Sequence, residues 1–295
     1  MIHRQIKFRP SDAVILVLIA AFFGYIYYRV RYGLEYKTDW SVIPQFLIHR
    51  DPDTGSWAAN FLLDGFVSTI KLSIWAALFA SIIGLLMGVF RTSKILLLRM
   101  IGRTYVELIR NVPPLVLIFI FYYFFVDQIM PLLGVDEFIQ NRSETGKGII
   151  SFLFAEEELF SQFISGVVTV AFFEGAYFTE IIRSGIDSIE RGQREAAYSL
   201  GLSPLDQMRF IIMPQAIKRV LPPLANEFIN TIKYSALASV VSIQELTFMG
   251  RSVIEATGKI FEVWITVSLM YLVLTMTLSL FVGKLEKKID RKSVV

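Results

Sequence analysis

The sequence predicts an all-α fold, a polytopic bundle of membrane-spanning helices, and three observations support this prediction. Of its 295 residues, 54% are hydrophobic and 19% are charged, against roughly 45–50% and 25% in soluble domains. The 25 Phe and 12 Tyr suit a bilayer, where aromatic rings gather at the two interfaces. The sequence has no Cys, so a disulfide framework, a thiolate metal site and a Cys nucleophile are all excluded.

Five uncharged apolar runs can each begin or fill a membrane helix, which needs about 20 predominantly apolar residues. The runs are 13–28, 72–90, 111–126, 159–173 and 263–283. The fourth run continues to residue 180 through two Glu, and a sixth span at about 222–244 contains Glu227 and Lys233. Pro113 and Pro114 predict a helix break near the start of the third run. We therefore expect a core of five helices with one N-terminal helix in front.

The first apolar run follows a positively charged start and has two interpretations. A secretory signal peptide begins with a similar charge and a run of similar length. This run ends in Tyr25-Ile26-Tyr27-Tyr28-Arg29 rather than in small residues suited to cleavage, and further spans follow it. The sequence therefore favours an uncleaved anchor helix.

Six spans place both termini on one side of the membrane, and the distribution of Lys and Arg indicates which side. The two termini and the loops 91–110 and 181–219 contain 19 Lys and Arg, whereas the loops 29–59, 127–158 and 245–262 contain 8. The loop 127–158 has seven Asp and Glu against two Lys and Arg. The sequence therefore predicts cytoplasmic termini and an outward-facing acidic loop, which is either simply solvated or in contact with a binding protein.

The polar loop after the fourth span is the most informative stretch of the chain. Ala196 and Ala197 are strong helix formers with little bulk, which lets a partner backbone approach closely. Gly201 can take the left-handed conformation that ends a helix. Ser203 is a good N-cap and Pro204 suits the first position of a new helix. The loop thus predicts two short helices, the second running to about residue 213, with the prolines at 214, 222 and 223 closing the loop.

The spacing within this loop carries a family resemblance. Glu195-Ala196-Ala197 is followed by three residues, Gly201, nine residues, Ile211 and Pro214. This resembles the EAA loop of ABC importer permeases, whose pattern ends in Ile-x-Leu-Pro where this chain has Met for Leu. The resemblance implies a cytoplasmic coupling helix that sits in a groove of a separate ATPase. Its coupling residues would be Glu195, Ala196, Ala197, Gly201, Ser203 and Pro204. A pair of interfacial helices that only joins two spans is the alternative.

Other segments resemble the polar amino-acid branch of these permeases along nearly the whole chain after residue 40. The matching segments are 64–65 with Thr69, 71–73, 110–115, 176–180 with Arg183 and Gly185, 261–262 and 271–272. The chain departs at one place, where the family often has Lys-Asp-Ser/Thr-Ser-Leu and this sequence has Lys233-Tyr234-Ser235-Ala236-Leu237. The resemblance implies an ATP-driven, binding-protein-dependent importer of amino acids.

Polar residues inside the predicted spans are candidates for the substrate path, because a charge at the bilayer centre costs about 2.5–3.5 kcal/mol and usually faces a cavity or a partner. The candidates are Thr69, Lys71, Glu174, Tyr177, Glu180 and Lys233. Glu174 and Glu180 are six residues apart and lie on different faces of their helix. We expect Glu174 to meet the ammonium group of an amino acid or to pair with Lys71. Glu180 is either a gate or part of a structural ion pair, and pairing across helices is also the alternative for both lysines.

Catalytic motifs are absent from the sequence. It has neither the Gly-x-x-x-x-Gly-Lys-Ser/Thr run that binds ATP phosphates nor a Gly-x-Ser-x-Gly nucleophile elbow. Its two histidines, His3 and His49, lie on opposite predicted sides, which excludes a histidine-paired zinc site. We expect no enzymatic activity, no metal and no cofactor, and ATP would be bound by a partner ATPase. An ion-gradient-driven secondary transporter is the alternative function, since Glu174, Glu180 and Glu227 can bind protons or cations. A membrane-bound enzyme has less support.

We expect three parts in the chain: an anchor helix with an external loop at 1–59, a transmembrane permease domain at 60–288 and a cytoplasmic tail at 289–295. The implied location is the inner membrane of a bacterium. The implied partners are two ATPase subunits, a second permease subunit that is the same chain or a sister chain, an external solute-binding protein, an amino acid and the lipid bilayer. A nucleic-acid partner is not expected.

Overall fold

The computed structural model describes residues 10–33, 36, 38–51 and 55–293, and these are predominantly helical. His3, the charged start of the chain and the last two residues lie outside them. The helices are α1 Pro10–Gly33, α2 Ile43–Leu47, α3 Phe61–Thr92, α4 Leu96–Asn111, α5 Pro114–Phe124, α6 Met130–Leu132, α7 Val135–Gln140, α8 Glu144–Leu153, α9 Phe160–Asp187, α10 Arg191–Ser199, α11 Pro204–Asp206, α12 Met213–Ser235, α13 Leu246–Thr257 and α14 Ile260–Ser293. A two-stranded antiparallel hairpin, β1 Ile48–Arg50 and β2 Trp57–Ala59, precedes α3. The all-α prediction is confirmed.

Five helical stretches of the described chain are long and apolar enough to cross a membrane. They are Ser11–Arg29, Phe61–Thr92, Pro114–Leu132, Glu157–Asp187 and Ile260–Lys284. The predicted sixth span is not among them. Its segment is the second half of α12 followed by the 3-10 helix Ala236–Val241, and α12 contains charged residues and two internal prolines. Because α12 packs against α3, α9 and α14, it belongs to the bundle despite this composition.

The chain divides into two compact units, residues up to Trp40 and residues from Ser41 onward. The first unit contains α1, whose side chains at 13–29 are exposed. In the second unit, Ile43 of α2 belongs to the same apolar cluster as Leu62, Leu246 and Val263. The division predicted after residue 59 remains a prediction.

The centre of the second unit is the pair of long helices α3 and α9. A stripe of small residues at four-residue spacing, Ala76, Ala80, Gly84 and Gly88, lies buried along α3. A Cβ atom added at Gly84 would lie 2.5 Å from the Phe178 Cβ, and one at Gly88 would lie 2.8 Å from the Ile182 side chain. Small residues at this spacing let two membrane helices approach closely. The stripe therefore sets the distance between α3 and α9.

We expect Gly84→Ala to weaken this packing, because the atom that it would meet on Phe178 is attached directly to the backbone and cannot rotate away. Overpacking of this kind costs about 1–3 kcal/mol, which outweighs the gain of up to about 1 kcal/mol in helix propensity. Thermal unfolding of the purified chain in detergent measures the change. Gly283→Ala on α14 is the matched control, since nothing lies within 4 Å of the added Cβ. Equal melting temperatures for the two variants would contradict the close-packing interpretation.

The structure confirms the helix break that was predicted at Pro113, near the start of the third apolar run. Helix α4 ends at Asn111 and α5 begins at Pro114, while Val112 and Pro113 are extended. The α5 helix continues as a π-helical turn at Phe125–Ile129 before the short helices α6, α7 and α8 of the acidic loop.

Candidate functional site: a coupling hairpin and polar groups between helices

The predicted coupling hairpin is formed by α10, a glycine turn and α11. At the turn Gly201 has φ 75°, the left-handed region that favours glycine. The Gly201 N–H donates to the Tyr198 carbonyl at 2.9 Å and the Leu202 N–H donates to the Ala197 carbonyl at 3.2 Å. These two bonds are the Schellman pattern that satisfies the last carbonyls of a helix. The predicted glycine C-cap is confirmed.

The second helix of the hairpin begins as predicted but does not end as predicted. The Ser203 hydroxyl accepts a hydrogen bond from the Asp206 N–H at 3.2 Å and donates to the Asp206 carboxylate at 2.6 Å. Pro204 occupies the first turn. The chain then continues without interruption through the π-helix Gln207–Ile212 into α12, so the expected end near residue 213 is wrong. The proline at 214 directly follows the π-helix, at the second residue of α12, and those at 222 and 223 lie inside the helix.

Five of the six predicted coupling residues are exposed on the hairpin, namely Glu195, Ala196, Gly201, Ser203 and Pro204. The sixth, Ala197, is only 3% exposed and therefore faces the chain itself rather than a partner. Three large apolar side chains that sequence reasoning did not select, Tyr198, Leu200 and Leu205, are 76–79% exposed around the same turn. The turn thus presents a compact apolar surface next to the Glu195 carboxylate.

Glu180 lies at the centre of an arginine cluster near the end of α9 that leads to the hairpin. It forms an ion pair with Arg91 of α3, and Nε of Arg183 lies 2.9 Å from its other carboxylate oxygen. Nη1 of Arg110, at the end of α4, lies 3.8 Å away. This geometry joins α3, α4 and α9 and corresponds to the structural ion-pair alternative for Glu180.

Glu174 is fully buried between α9 and α12, away from Lys71. The Thr231 hydroxyl lies 3.1 Å from Oε2 of Glu174 and 3.0 Å from the backbone oxygen of Glu227. The carboxyl of Glu227 interacts electrostatically with that of Glu174 and accepts a hydrogen bond from Asn230 at 3.1 Å. Oε1 of Glu174 has no hydrogen-bond partner among the described residues. The predicted pairing of Glu174 with Lys71 is wrong, because the two side chains face different neighbours.

Of the other path candidates, Lys71 and Lys233 lie apart from one another, and Tyr177 lies one turn after Glu174 on α9. Lys71 is half-buried and donates a hydrogen bond to the Ser151 carbonyl at 2.8 Å, whereas Lys233 is exposed. Within the part of the chain that the structure describes, no carboxylate lies within 4.0 Å of either ammonium, so the expected cross-helix pairing of the two lysines is wrong. Tyr177 is half-buried, with the Arg110 guanidinium 5.4 Å from the centre of its ring.

Thr69 lies fully buried in a polar network around Glu245 that sequence reasoning missed. Glu245 accepts hydrogen bonds from the Phe248 N–H at 2.8 Å, which caps α13, and from the Tyr271 hydroxyl at 2.6 Å. The Thr69 hydroxyl lies 3.4 Å from the same carboxylate and accepts from the Leu246 N–H at 3.0 Å. The network joins α3, α13 and α14, so Thr69 connects helices rather than lining an open path.

The acidic loop is held by an ion pair between Lys147 of α8 and Glu157, 2.8 Å apart. The hydrogen bond to Glu157 raises the pKa of the Lys147 ammonium above its usual range. Ser143 caps α8 by accepting from the Gly146 N–H at 3.3 Å. The loop is therefore folded into short helices, with most of its carboxylates on the surface.

Five helical stretches long and apolar enough to cross a membrane, with buried polar contacts between helices, define a multi-pass membrane protein. Residues 80–291 match the family described as binding-protein-dependent transport system inner membrane component. The chain belongs to this family. This confirms that it is a permease component of an ABC transport system, and it supports that function over the ion-gradient alternative.

Relatives from two bacteria align over most of their lengths. The chain is 34% identical to the probable glutamine ABC transporter permease protein GlnM of Bacillus subtilis (strain 168), over 79% of this chain and 94% of the relative. It is 31% identical to the glutamine transport system permease protein GlnP of Escherichia coli (strain K12), over 78% of this chain and 94% of the relative. These similarities confirm the resemblance to the amino-acid branch of the family.

Two solved structures are similar to the chain. A crystal structure of an amino acid ABC transporter with histidines matches 86% of this chain and 100% of that chain, with a TM-score of 0.65 and 29% sequence identity. An inward-facing structure of the MetNI methionine ABC transporter matches 78% of this chain and 96% of that chain, with a TM-score of 0.59 and 17% identity, which supports the fold alone.

Proposed function

We propose that this chain is the permease subunit of an ATP-driven importer for polar amino acids in the inner membrane of a bacterium. The observation that carries the proposal is the 31–34% identity to glutamine permeases over nearly their whole lengths. The excess of Lys and Arg in the termini and in the hairpin loop supports cytoplasmic termini. ATP would be bound by the partner ATPase and not by this chain.

The hairpin is the proposed docking surface for the ATPase. Tyr198, Leu200 and Leu205 supply exposed apolar area, and Glu195 supplies a charge at its edge. Because α10 follows α9 directly and the hairpin continues into α12, a displacement of the hairpin moves both helices that border Glu174. The remaining proposed partners are a second permease subunit, the same chain or a sister, and an external solute-binding protein that delivers the amino acid.

The proposed solute path passes the buried carboxyl of Glu174 and the half-buried carboxyl of Glu227. Glu174 lies between α9 and α12, which both lead to the hairpin, and its Oε1 has no hydrogen-bond partner among the described residues. When the two helices separate, this oxygen can accept a hydrogen bond from the ammonium group of an amino acid. The exposed Lys233 and the half-buried Tyr177 are the other candidates beside this path. Thr69 and Glu180 support the helices that form it.

The test is reconstitution of the chain in proteoliposomes with its cognate ATPase and solute-binding protein, followed by ATP hydrolysis and uptake across the twenty amino acids. We expect stimulation by one or a few polar amino acids, with glutamine among the first to be tried. Glu174→Gln keeps the shape of the side chain and is expected to slow uptake while the complex still assembles. Unchanged uptake by the Glu174→Gln variant would show that Glu174 does not contact the amino acid on its path. Uptake that follows an imposed ion gradient and ignores ATP would overturn the importer function.

A further inference from the structure

A polar cleft lies at the end of the bundle opposite the coupling hairpin. It has a volume of about 310 Å³ and is bordered by the N-terminal part of α3, the segment before α9, the start of α9 and the segment before α13. Its polar lining consists of Asp64, Ser68, Lys71, Glu156, Gln162 and Gln244. A volume near 300 Å³ is at the lower end of the range for small-molecule sites. The cleft is therefore large enough for one small polar molecule.

One face of α3 contributes three polar side chains to the lining of this cleft: a carboxylate, a hydroxyl and an ammonium. Asp64, Ser68 and Lys71 are spaced by four and three residues, so they follow one another along a single helix face. The Asp64 carboxylate lies toward the helix start, and Lys71 lies two turns deeper. The cleft thus has a carboxylate near its mouth and an ammonium further in.

Lys71 has hydrogen-bonding capacity that the protein does not use. An ammonium has three N–H donors, and the structure gives Lys71 a bond to the Ser151 carbonyl at 2.8 Å. Although Asp64 and Glu156 line the same cleft, neither carboxylate lies within 4.0 Å of Nζ. The cation and the two anions are held apart across the cleft rather than neutralising one another.

The apolar wall fixes the position of the segment that carries Glu156. Trp75 of α3 stacks on Phe154 with ring centres 4.5 Å apart, and its indole N–H donates to the Leu153 carbonyl at 2.9 Å. Phe163 and Ile243, which also line the cleft, are buried in the central apolar cluster. The charged groups therefore project from a rigid frame, which lowers the conformational entropy lost on binding.

The geometry points to a site for the zwitterionic head of an α-amino acid, with its carboxylate on Lys71 and its ammonium on Asp64 and Glu156. A simple anion would face two carboxylates, and a simple cation would face Lys71, whereas a zwitterion offers an opposite charge to each. Gln162 and Gln244 supply amide groups for a polar side chain. The inference rests on the proposed function and adds a docking point at the mouth of the path, separate from the buried Glu174.

Binding of radiolabelled amino acids to the full-length chain in lipid nanodiscs, without ATPase or binding protein, tests the inference. We expect L-glutamine, or another member of the set of twenty, to bind with a dissociation constant in the millimolar range or tighter. Two analogues of glutamine separate the contributions of the charges. Competition by 4-carbamoylbutanoate, which lacks the ammonium, and by 4-aminobutanamide, which lacks the carboxylate, should each be at least about tenfold weaker, because each loses a charge-assisted hydrogen bond.

The variants are Lys71→Gln and Asp64→Asn, which remove one charge each; Asp64→Asn keeps the side-chain length, and Lys71→Gln shortens the side chain by one atom. Gln at 71 retains an N–H donor for the Ser151 carbonyl, so the fold is expected to persist. Each should weaken binding at least about tenfold, while Lys71→Arg, which keeps the cation, should restore much of it. Lys94→Gln is the matched control, since it removes an exposed cation between α3 and α4 that does not line the cleft.

Two outcomes of the binding experiment would overturn the inference: no binding by any of the twenty amino acids in the millimolar range, or equal binding by wild type, Lys71→Gln and Lys94→Gln. The assembled complex separates this failure from a failure of the proposed function. If amino acids stimulate ATP hydrolysis by the Lys71→Gln complex with an unchanged half-saturating amino-acid concentration, the importer function stands and the cleft is not a binding site for the amino acid. Amino-acid binding in nanodiscs without any stimulated hydrolysis or ATP-dependent uptake would support the cleft as a binding site and overturn the proposed importer function.

Discussion

Gly201→Asp is expected to abolish amino-acid-stimulated ATP hydrolysis by the assembled importer, with the residual rate falling to that of unstimulated ATPase. Nothing in the chain lies within 4 Å of a Cβ built at Gly201, so the new side chain projects outward from the exposed turn. At φ 75° a side chain also strains the turn, by about 1–2 kcal/mol. Both effects alter the surface formed by Leu200 and Leu205. Hydrolysis measured with and without substrate and loaded binding protein gives the result.

Gly258→Asp separates local strain from loss of coupling. Gly258 has φ 71°, also has nothing within 4 Å of an added Cβ, and ends α13 far along the chain from the hairpin. The two variants therefore carry the same change of residue in nearly the same backbone conformation. We expect Gly258→Asp to retain stimulation. If both variants lost it equally, or if Gly201→Asp retained it in an assembled complex, the hairpin would not be the coupling surface.

Glu245→Ala is expected to cause a large loss of stability in the folded chain. The change leaves the Phe248 N–H without its acceptor and removes the 2.6 Å bond of the Tyr271 hydroxyl, whose remaining partner is the Thr247 hydroxyl at 3.1 Å. An unsatisfied buried N–H costs about 1–3 kcal/mol and the loss of one hydrogen bond about 0.5–1.5 kcal/mol, so the two together give about 1.5–4.5 kcal/mol in the free energy of unfolding. Denaturant or thermal unfolding in detergent, followed by tryptophan fluorescence, measures the loss.

Two further variants test whether the loss of stability comes from the hydrogen bonds of Glu245. Glu255→Ala removes an exposed carboxylate from the same helix and should have little effect on stability. Glu245→Gln keeps an oxygen that can cap α13 and should be less damaging than Ala. A Glu245→Ala protein as stable as Glu255→Ala would show that the network contributes nothing measurable.

The features predicted correctly from the sequence depend on local interactions. The glycine turn and the Ser203 cap are specified by neighbouring residues, and so is the break at Pro113. The apolar runs located the long helices, although α3 starts at Phe61, eleven residues before its uncharged run, because a helix in a bundle tolerates Asp64 and Lys71 on a face that borders a cleft. Hydropathy gave no means of seeing that the hairpin helix continues into α12.

The features that were missed depend on contacts between distant parts of the chain. Thr69 meets Glu245 across 176 residues, and spacing along either helix cannot reveal that contact. The pairing expected for Glu174 and Lys71 failed for the same reason, since their partners are Thr231 and the Ser151 carbonyl. Charge periodicity did separate Glu174 from Glu180, because the two faces of one helix are fixed by helical geometry alone.

The stripe of small residues between α3 and α9 has a mechanical consequence. The stripe covers residues 76–88 of α3, about 18 Å of helix, and close packing over that length resists sliding of α3 along α9. We therefore expect α3 and α9 to move together as one rigid body when the coupling hairpin is displaced. The compliance that alternating access requires must then be concentrated elsewhere, and the extended pair Val112 and Pro113 between α4 and α5 is the point where the backbone can act as a pivot.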